Sequence, residues 1–355
     1  MSDSKNIQNK RDHFVSQFLL RNFSIDKNQK KGLTYLYKYP DFKPEEKSIS
    51  KKVGNEVDFY LAKNKITNQS DKLADSVYQL LEQKKHAPRV LSKIVADSDY
   101  IKKLDYTEES ILASLIAHQL TRTPGFRKIV NELIAYLLTS DLVQKEQLGD
   151  VTFLDEVIVA NKFNVKKSDL KNQKQSNILT GARSHEIHIA LAVAELIAPK
   201  MYQKNISVIE VSPDSYFVLS DSGVVVSGTE DDLLQVDDLW GTEKDDGLSF
   251  ILPICPSKAL NFSEHTPERT ILKGKTADSL AVLINSISIS TCDKEFYSHC
   301  DSFEKDYLND LISSKSLKQY HAQEEYFKKH PFKKLIYLSG YSIYRIKKFI
   351  KSIIT

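Results

Sequence analysis

Residues 11–23 read RDHFVSQFLLRNF and place a histidine, a glutamine and two arginines within an apolar frame. On a helix, His13 and Gln17 share a face, and so do Gln17 and Arg21, because four residues make about one turn. Phe14, Phe18 and Leu19 form the neighbouring apolar stripe. We predict a helix that buries one side and holds a titratable group toward a cleft. The alternative is a docked first helix whose histidine is satisfied by a backbone partner.

The composition describes a folded chain. It has 355 residues, 41% hydrophobic and 27% charged, which suits one large domain or two ordinary ones. A formal net charge of +3 gives no overall basic coat for nucleic acid. The three cysteines lack metal-type spacing, the first residues lack a secretory signal, and no apolar run reaches the roughly twenty residues of a membrane span. We therefore expect a cytoplasmic location.

The order of elements predicts an α+β fold, with a mainly helical body, a small N-terminal β element and an antiparallel β-meander in the C-terminal half. Periodicity predicts a helix from Asp71, with Leu73, Val77, Leu80 and Leu81 on one face, and further helices after Pro88, from a cap at Thr107 to Pro124, and on to Leu138. It also predicts helices over 184–202 and 277–285, with helix thereafter. Residue types predict extended segments over 33–39, 47–53, 206–211, 216–219, 224–226 and 248–252. No glycine-rich phosphate fingerprint follows a strand, which argues against Rossmann and Walker-type nucleotide folds.

We predict one domain over 1–300, divided into 1–105, 106–204 and 205–300, followed by a helical basic extension over 301–355. Residues 328–355 contain eight Lys or Arg and no Asp or Glu. A basic amphipathic helix of this kind suits contact with nucleic acid, an anionic membrane surface or a partner protein. The eight carboxylates of 230–246 offer an internal acidic partner instead.

Three further stretches contain candidate site residues. Arg122 and Arg127 flank one helix corner, where planar donors suit carboxylate or phosphate, and Arg–Asp pairing is the structural alternative. Asp221 lies in a Ser-Asp-Ser-Gly turn, which is either architectural or places a carboxylate toward a cleft. Glu56 and Asp58 alternate on an extended segment, so they point to one face and can share a proton or a cation.

These motifs, in this order, resemble the domain-of-unknown-function family 4238, which occurs in bacteria and some fungi. Residues 13–23, HFVSQFLLRNF, resemble the family's opening His-Tyr-Val-Pro-Gln-Phe-Tyr-Leu-Arg-Asn-Phe, with Ser16 where Pro is usual. Similar elements lie at 56–60, 81–88, 119–127, 217–223, 253–256, 285 and 297–298. At 222–223 this chain has Ser-Gly where the family has Asn-Pro. The resemblance covers about residues 11 to 300.

The resemblance implies one shared site and supplies no activity. The residues that it suggests for catalysis are His13, Asp58, Glu82 and Asp221, and those for substrate binding are Gln17, Arg21, Gln119, Arg122 and Arg127. Acids, one histidine and several guanidinium groups at element ends lead us to expect a hydrolase of a phosphate-containing substrate, with a nuclease in phage defence as one form. His13 would be the general base or acid, with Asp58 and Glu82 orienting it or holding a divalent cation.

The divalent cation would be Mg²⁺ or Mn²⁺, and no other cofactor is evident in the sequence. The rival hypothesis is a non-catalytic sensor or adaptor, in which the same residues form a buried polar network and the basic tail contacts nucleic acid, a nucleotide, lipid or a partner protein. Binding of a small acidic ligand between the arginines is a third hypothesis. An open cleft around His13 would favour the enzyme, and fully paired, sealed side chains would favour the adaptor.

Overall fold

The protein has an α+β fold. The computed structural model describes residues 11–26, 32–38, 42–57, 59–60, 62–64, 69–71, 73–127, 130, 186–227 and 249–301. The helices are α1 Gln17–Asn22, α2 Ile49–Lys52, α3 Leu73–Leu81, α4 Ala87–Ala96, α5 Tyr106–Thr121, α6 Glu186–Tyr202 and α7 Lys275–Thr291, with a 3₁₀ helix over Ser98–Lys103. The strands are β1 Arg11–His13, β2 Leu33–Lys38, β3 Pro44–Ser48, β4 Asn55–Val57, β5 Ala62–Asn64, β6 Gln69–Asp71, β7 Asn205–Glu210, β8 Leu219–Ser220, β9 Val225–Ser227, β10 Ser249–Cys255, β11 Lys258–Ser263, β12 Ile271–Leu272 and β13 Glu295–Ser298.

Two larger sheets replace the single predicted meander. One has the order β12-β7-β11-β10-β9 and is antiparallel except for the β12–β7 pair. The other has the order β3-β2-β13-β8 and is antiparallel throughout. The predicted strand at 216–219 therefore belongs to a different sheet from its sequence neighbours. The expectation of helix throughout the remainder after 285 is also wrong at β13.

Helix α5 lies at the centre of the helical layer, where it packs along α6 and against α3 and α4. Its N-cap is Asp105, whose carboxylate accepts the Glu108 N–H at 2.8 Å, so the predicted cap at Thr107 is wrong by two residues. The boundaries at Pro88 and Pro124 are confirmed. Helix α3 buries Ala74 and Tyr78, whereas Leu73 and Leu80 are exposed.

The N-terminal segment differs most from expectation. His13 ends strand β1, which pairs with β4, and the helix begins only at Gln17. The segment predicted to be extended over 47–53 contains the short helix α2. The chain turns at Ser16, whose carbonyl accepts the Leu20 N–H at 3.1 Å. The predicted helical face of His13 is therefore wrong.

Gly54 joins this segment to the four-stranded sheet. Its carbonyl accepts the Phe14 N–H at 2.9 Å, and its own N–H donates to the Glu295 carboxylate at 3.1 Å. Its φ of +59° lies in the left-handed region, and an added Cβ would lie 3.1 Å from Leu20 Cδ1. Glycine is required here both for backbone conformation and for space.

Within the described ranges, no helix has the length and apolarity needed to cross a membrane. The predictions for the helix running to Leu138, the acidic stretch 230–246 and the basic extension over 301–355 lie outside the described residues, Asp301 excepted.

Candidate functional site

The imidazole of His13 is half-buried among polar groups. Its Nε2 lies 3.0 Å from the Ile49 carbonyl oxygen, 3.3 Å from the Gln17 amide nitrogen and 3.4 Å from the Asn55 amide nitrogen. A carbonyl only accepts and an amide nitrogen only donates, so Nε2 donates to Ile49 in the tautomer that carries the ring proton there. Nδ1 then carries the lone pair, and it makes no hydrogen bond to the described residues. His13 and Gln17 are in contact, although His13 lies in β1 and is not part of the helix that begins at Gln17.

His13 is poised to accept a proton. Burial lowers the pKa of its imidazole from the ordinary 6.5, and the positive charge of Arg122 lowers it further. The Ile49 carbonyl and the negative charge of Glu82 raise the pKa of His13, but they do not outweigh burial. The ring is therefore neutral at neutral pH, which is the form that a general base requires.

Arg122 is fully committed to acceptors of the protein. It is 3% exposed and donates from Nε to the Phe14 carbonyl at 2.9 Å, from Nη1 to Glu82 at 2.7 Å and from Nη2 to the Ser16 hydroxyl at 2.8 Å. Its guanidinium also lies 5.1 Å from the ring centre of Tyr78. It ties together the β1–α1 link, the end of α3 and the end of α5.

Glu82 is the accessible partner in this cluster. It follows α3, and its side chain keeps 27% of its surface exposed while Arg122 fixes one oxygen. Its charge acts on His13, so the carboxylate and the imidazole share one neighbourhood. This is the arrangement expected of a carboxylate that orients or supports a proton-transfer group.

Gln119 supports the same segment from α5. It is buried, donates to the Phe14 carbonyl at 3.0 Å and accepts from the Ser16 hydroxyl at 3.5 Å. Gly223 packs directly on its side chain, since an added Cβ would lie 2.6 Å from the Gln119 amide nitrogen and 2.8 Å from its Cγ. The turn that contains Asp221 is thus in contact with α5.

Gly223→Ala is expected to destabilise the fold by about 2 kcal/mol, because it forces an alanine to a φ of +70° and displaces Gln119 from Phe14. Chemical denaturation measures the loss. The matched control is Gly125→Ala, where an added Cβ meets nothing within 4 Å. Equal unfolding midpoints for the two variants would contradict the steric argument.

The other two arginines differ in exposure. Arg127 donates to the Phe59 carbonyl at 2.7 Å, lies 4.1 Å from the Phe59 ring centre and forms an ion pair with buried Glu186. Burial lowers the pKa of Arg127. Arg21 is exposed in the last turn of α1, one turn from Gln17. Of the three, Arg21 has the most exposed side chain, while that of Arg127 is 19% exposed and that of Arg122 is 2% exposed.

The carboxylate of Asp221 is bound by the backbone of a turn. Asp221 is 1% exposed, and its two carboxylate oxygens accept the backbone N–H groups of Asp293, Lys294 and Glu295 at 2.9, 2.6 and 3.1 Å. The turn between α7 and β13 is therefore built on this carboxylate. The structure thus favours the architectural interpretation of the Ser-Asp-Ser-Gly turn. Asp58 lies outside the described residues.

Sequence reasoning missed three residues that complete the cluster. Tyr60 donates its hydroxyl to the His13 carbonyl and its N–H to Asp12 at 3.0 Å. Asn55 lies beside the His13 ring, and Ser16 accepts from Arg122. Ser16 was visible only as a departure from the family's proline; the structure shows that its hydroxyl supplies an acceptor for Arg122.

Metal-ligand clusters are absent from the part of the chain that the structure describes, where no three His, Cys, Asp or Glu side chains converge. Residues 11–302 match the family described as "Protein of unknown function (DUF4238)". The chain belongs to this family. The match spans the whole candidate site, from His13 to the strand β13 that closes the four-stranded sheet. No curated protein and no solved structure shows significant similarity to the chain.

Proposed function

We propose that this member of the family is a hydrolase of a phosphate-containing substrate, in which His13 transfers the proton. The observation that carries the proposal is the environment of this ring: it is half-buried, its Nε2 lies 3.0 Å from the Ile49 carbonyl oxygen, and burial lowers the pKa of the imidazole, which keeps it neutral at neutral pH. Such a ring can take a proton from an attacking water and return it to a leaving group. Nucleic acid is the polymeric form of this substrate class, and a nuclease in phage defence is one form of the proposal.

The neighbouring side chains take distinct roles in this proposal. Glu82 supports His13 electrostatically or contributes to a Mg²⁺ or Mn²⁺ site, and Asp58 stays a predicted second carboxylate. Arg21 is the guanidinium that meets the substrate phosphate, because it is exposed one turn from Gln17. Arg122 and Arg127 act on protein groups, since their donors point to Phe14, Glu82, Ser16, Phe59 and Glu186.

The experiment is a hydrolysis assay of the purified protein on DNA, RNA and nucleotides with Mg²⁺ or Mn²⁺. His13→Ala is expected to lower the rate by about 100-fold, the usual contribution of a general base or acid. His265→Ala is the matched control, because His265 is exposed between β11 and β12, and it is expected to keep the parent rate. Absence of turnover on all three substrate types, or equal rates for the two variants, would overturn the proposal.

A non-catalytic sensor or adaptor is the second candidate function. It is favoured by the internal hydrogen bonds of Arg122, Gln119 and Asp221, each of which is at most 3% exposed. Binding of nucleic acid, a nucleotide or a partner protein without turnover would support it. Fluorescence anisotropy with labelled oligonucleotides, with and without Arg21→Ala, measures the nucleic-acid form of this candidate.

A further inference from the structure

His118 is a buried imidazole at the interface of α5 and α6. It is 3% exposed, and its Nε2 lies 3.3 Å from a carboxylate oxygen of Glu195, whose side chain is 71% exposed. Its Nδ1 is buried and has no hydrogen-bond partner among the residues that the structure describes. A buried ring nitrogen without a partner costs free energy, so the arrangement calls for an explanation beyond packing.

A continuous set of contacts leads from His118 to the candidate site. The His118 ring lies edge-on to Tyr78, with ring centres 5.7 Å apart and an angle of 90° between the planes. Tyr78 also contacts the ring of Tyr60, with centres 4.5 Å apart, and the guanidinium of Arg122, at 5.1 Å from the ring centre. Arg122 in turn holds Glu82 at 2.7 Å. The exposed face of α6 is thus connected to Glu82 through three side chains.

Burial, helped by the charge of Arg122, keeps His118 neutral at neutral pH. The titratable and charged groups that face it are Glu195 from α6, Tyr78 from α3 and Arg122 from the end of α5. Burial lowers the pKa of the His118 imidazole, and Arg122 lowers it further, while Glu195 raises it without restoring the ordinary value.

We propose that the His118–Glu195 pair is a positioning contact that couples the surface of α6 to the Arg122–Glu82 pair. A protonated His118 would carry a second N–H at Nδ1, where none of the described residues offers an acceptor, and a positive charge beside Arg122. Both effects raise the free energy of the arrangement in which the Arg122 guanidinium holds Glu82. Mild acid is therefore expected to shift Glu82 through Arg122, and the charge of Glu195 sets the pH at which this happens.

The effect on catalysis rests on the proposed function, whereas the coupling itself does not. The test is an NMR titration of the protein with labelled histidine and arginine side chains, between about pH 5 and pH 8. The Arg122 Nε signal is expected to titrate with the midpoint of His118. Glu195→Gln is expected to lower that midpoint by about half a pH unit, as loss of a partly exposed ion pair does. His118→Gln is expected to remove the step from Arg122.

Glu268→Gln is the matched control, because Glu268 is 64% exposed and pairs with Arg269 instead. It is expected to leave the midpoint of His118 unchanged. If His118→Gln does not fold, the surface variant Glu195→Gln carries the test. An Arg122 signal that does not change with pH, or the same midpoint in Glu195→Gln as in the parent, would overturn the coupling.

The two proposals fail separately. Coupled titration of His118 and Arg122 without turnover would reject the hydrolase and keep the positioning contact. Turnover with the same pH–rate profile in Glu195→Gln and the parent would keep the hydrolase and reject the contact. A shift of the acid limb of the profile to lower pH in Glu195→Gln would support both.

Discussion

Arg122→Met is expected to lower the free energy of unfolding by about 4 kcal/mol, as the loss of one partner from a buried charged network does. Methionine fills much of the same volume, so the cost arises from the polar groups left behind. The Phe14 carbonyl keeps only Gln119 as a side-chain donor, the Ser16 hydroxyl loses the charged donor at 2.8 Å, and Glu82 loses its cation. Urea unfolding followed by circular dichroism measures the change.

Arg89→Met is the matched control for this prediction. Arg89 is 52% exposed and lies 3.4 Å from Glu108, a carboxylate that Lys93 and Tyr100 also contact. Its replacement is expected to cost less than about 1 kcal/mol. Arg122→Lys is expected to recover less than half of the loss, because one ammonium cannot reach three diverging acceptors. Similar costs at positions 122 and 89 would show that Arg122 does not hold the segment together.

Asp221→Ala is expected to cost about 4 kcal/mol as well, because three backbone N–H groups lose their acceptor at about 1–3 kcal/mol each. These groups form the turn that starts β13, so the four-stranded sheet loses the anchor of its third strand. Asp214→Ala, a change to an exposed acid earlier in the same part of the chain, is expected to change stability by less than about 0.5 kcal/mol. Equal stabilities of the two variants would refute the anchoring role.

The pH dependence of stability gives an independent check on Asp221. Burial raises the pKa of its carboxyl from 3.8 to about 7, against the backbone N–H groups of Lys294 and Asp293, which lower it. The folded state therefore binds this proton more tightly than the unfolded chain does. The resulting stabilisation is complete below the unfolded value and is lost as the pH rises through the folded value.

Asp221→Asn cannot titrate, so it removes this dependence. Relative to that variant, the parent is expected to lose about 4 kcal/mol of unfolding free energy between about pH 4 and pH 7, at 1.36 kcal/mol for each unit of pKa difference. Subtracting the unfolding free energy of the variant from that of the parent removes the contribution of the histidines, because both proteins contain the same ones. A difference that stays constant over this range would show that the carboxyl does not take up a proton in the folded state.

The sequence predicts helix boundaries correctly where they depend on residues next to the boundary. The starts and stops at Pro88 and Pro124 depend on the missing N–H and fixed φ of proline, and both are confirmed. The cap of α5 was predicted two residues late because Thr107 and Asp105 are both capping residue types. Which one caps depends on where the helix begins, and here the Asp105 carboxylate accepts the N–H of Glu108, three residues later.

The sequence predicts part of the candidate site through the family resemblance. His13, Gln17, Glu82, Gln119 and Arg122 do lie in one neighbourhood, as the family resemblance implied. The sequence does not show that the partners of Asp221 are 72 to 74 positions away, nor that β13, a four-residue strand, completes a sheet begun at Leu33. Such pairings depend on tertiary packing, which overrides local preference.

The pairing of β2 with β13 has a consequence for biosynthesis. The Thr34 hydroxyl donates to the Ser298 carbonyl, 264 positions further along the chain. A ribosome therefore exposes one edge of β2 long before its partner strand has been made. Contacts of such separation slow folding, and an unpaired edge invites association with other chains. A nascent chain halted before residue 295 is thus expected to engage chaperones, because this sheet can close only after β13 has left the ribosome.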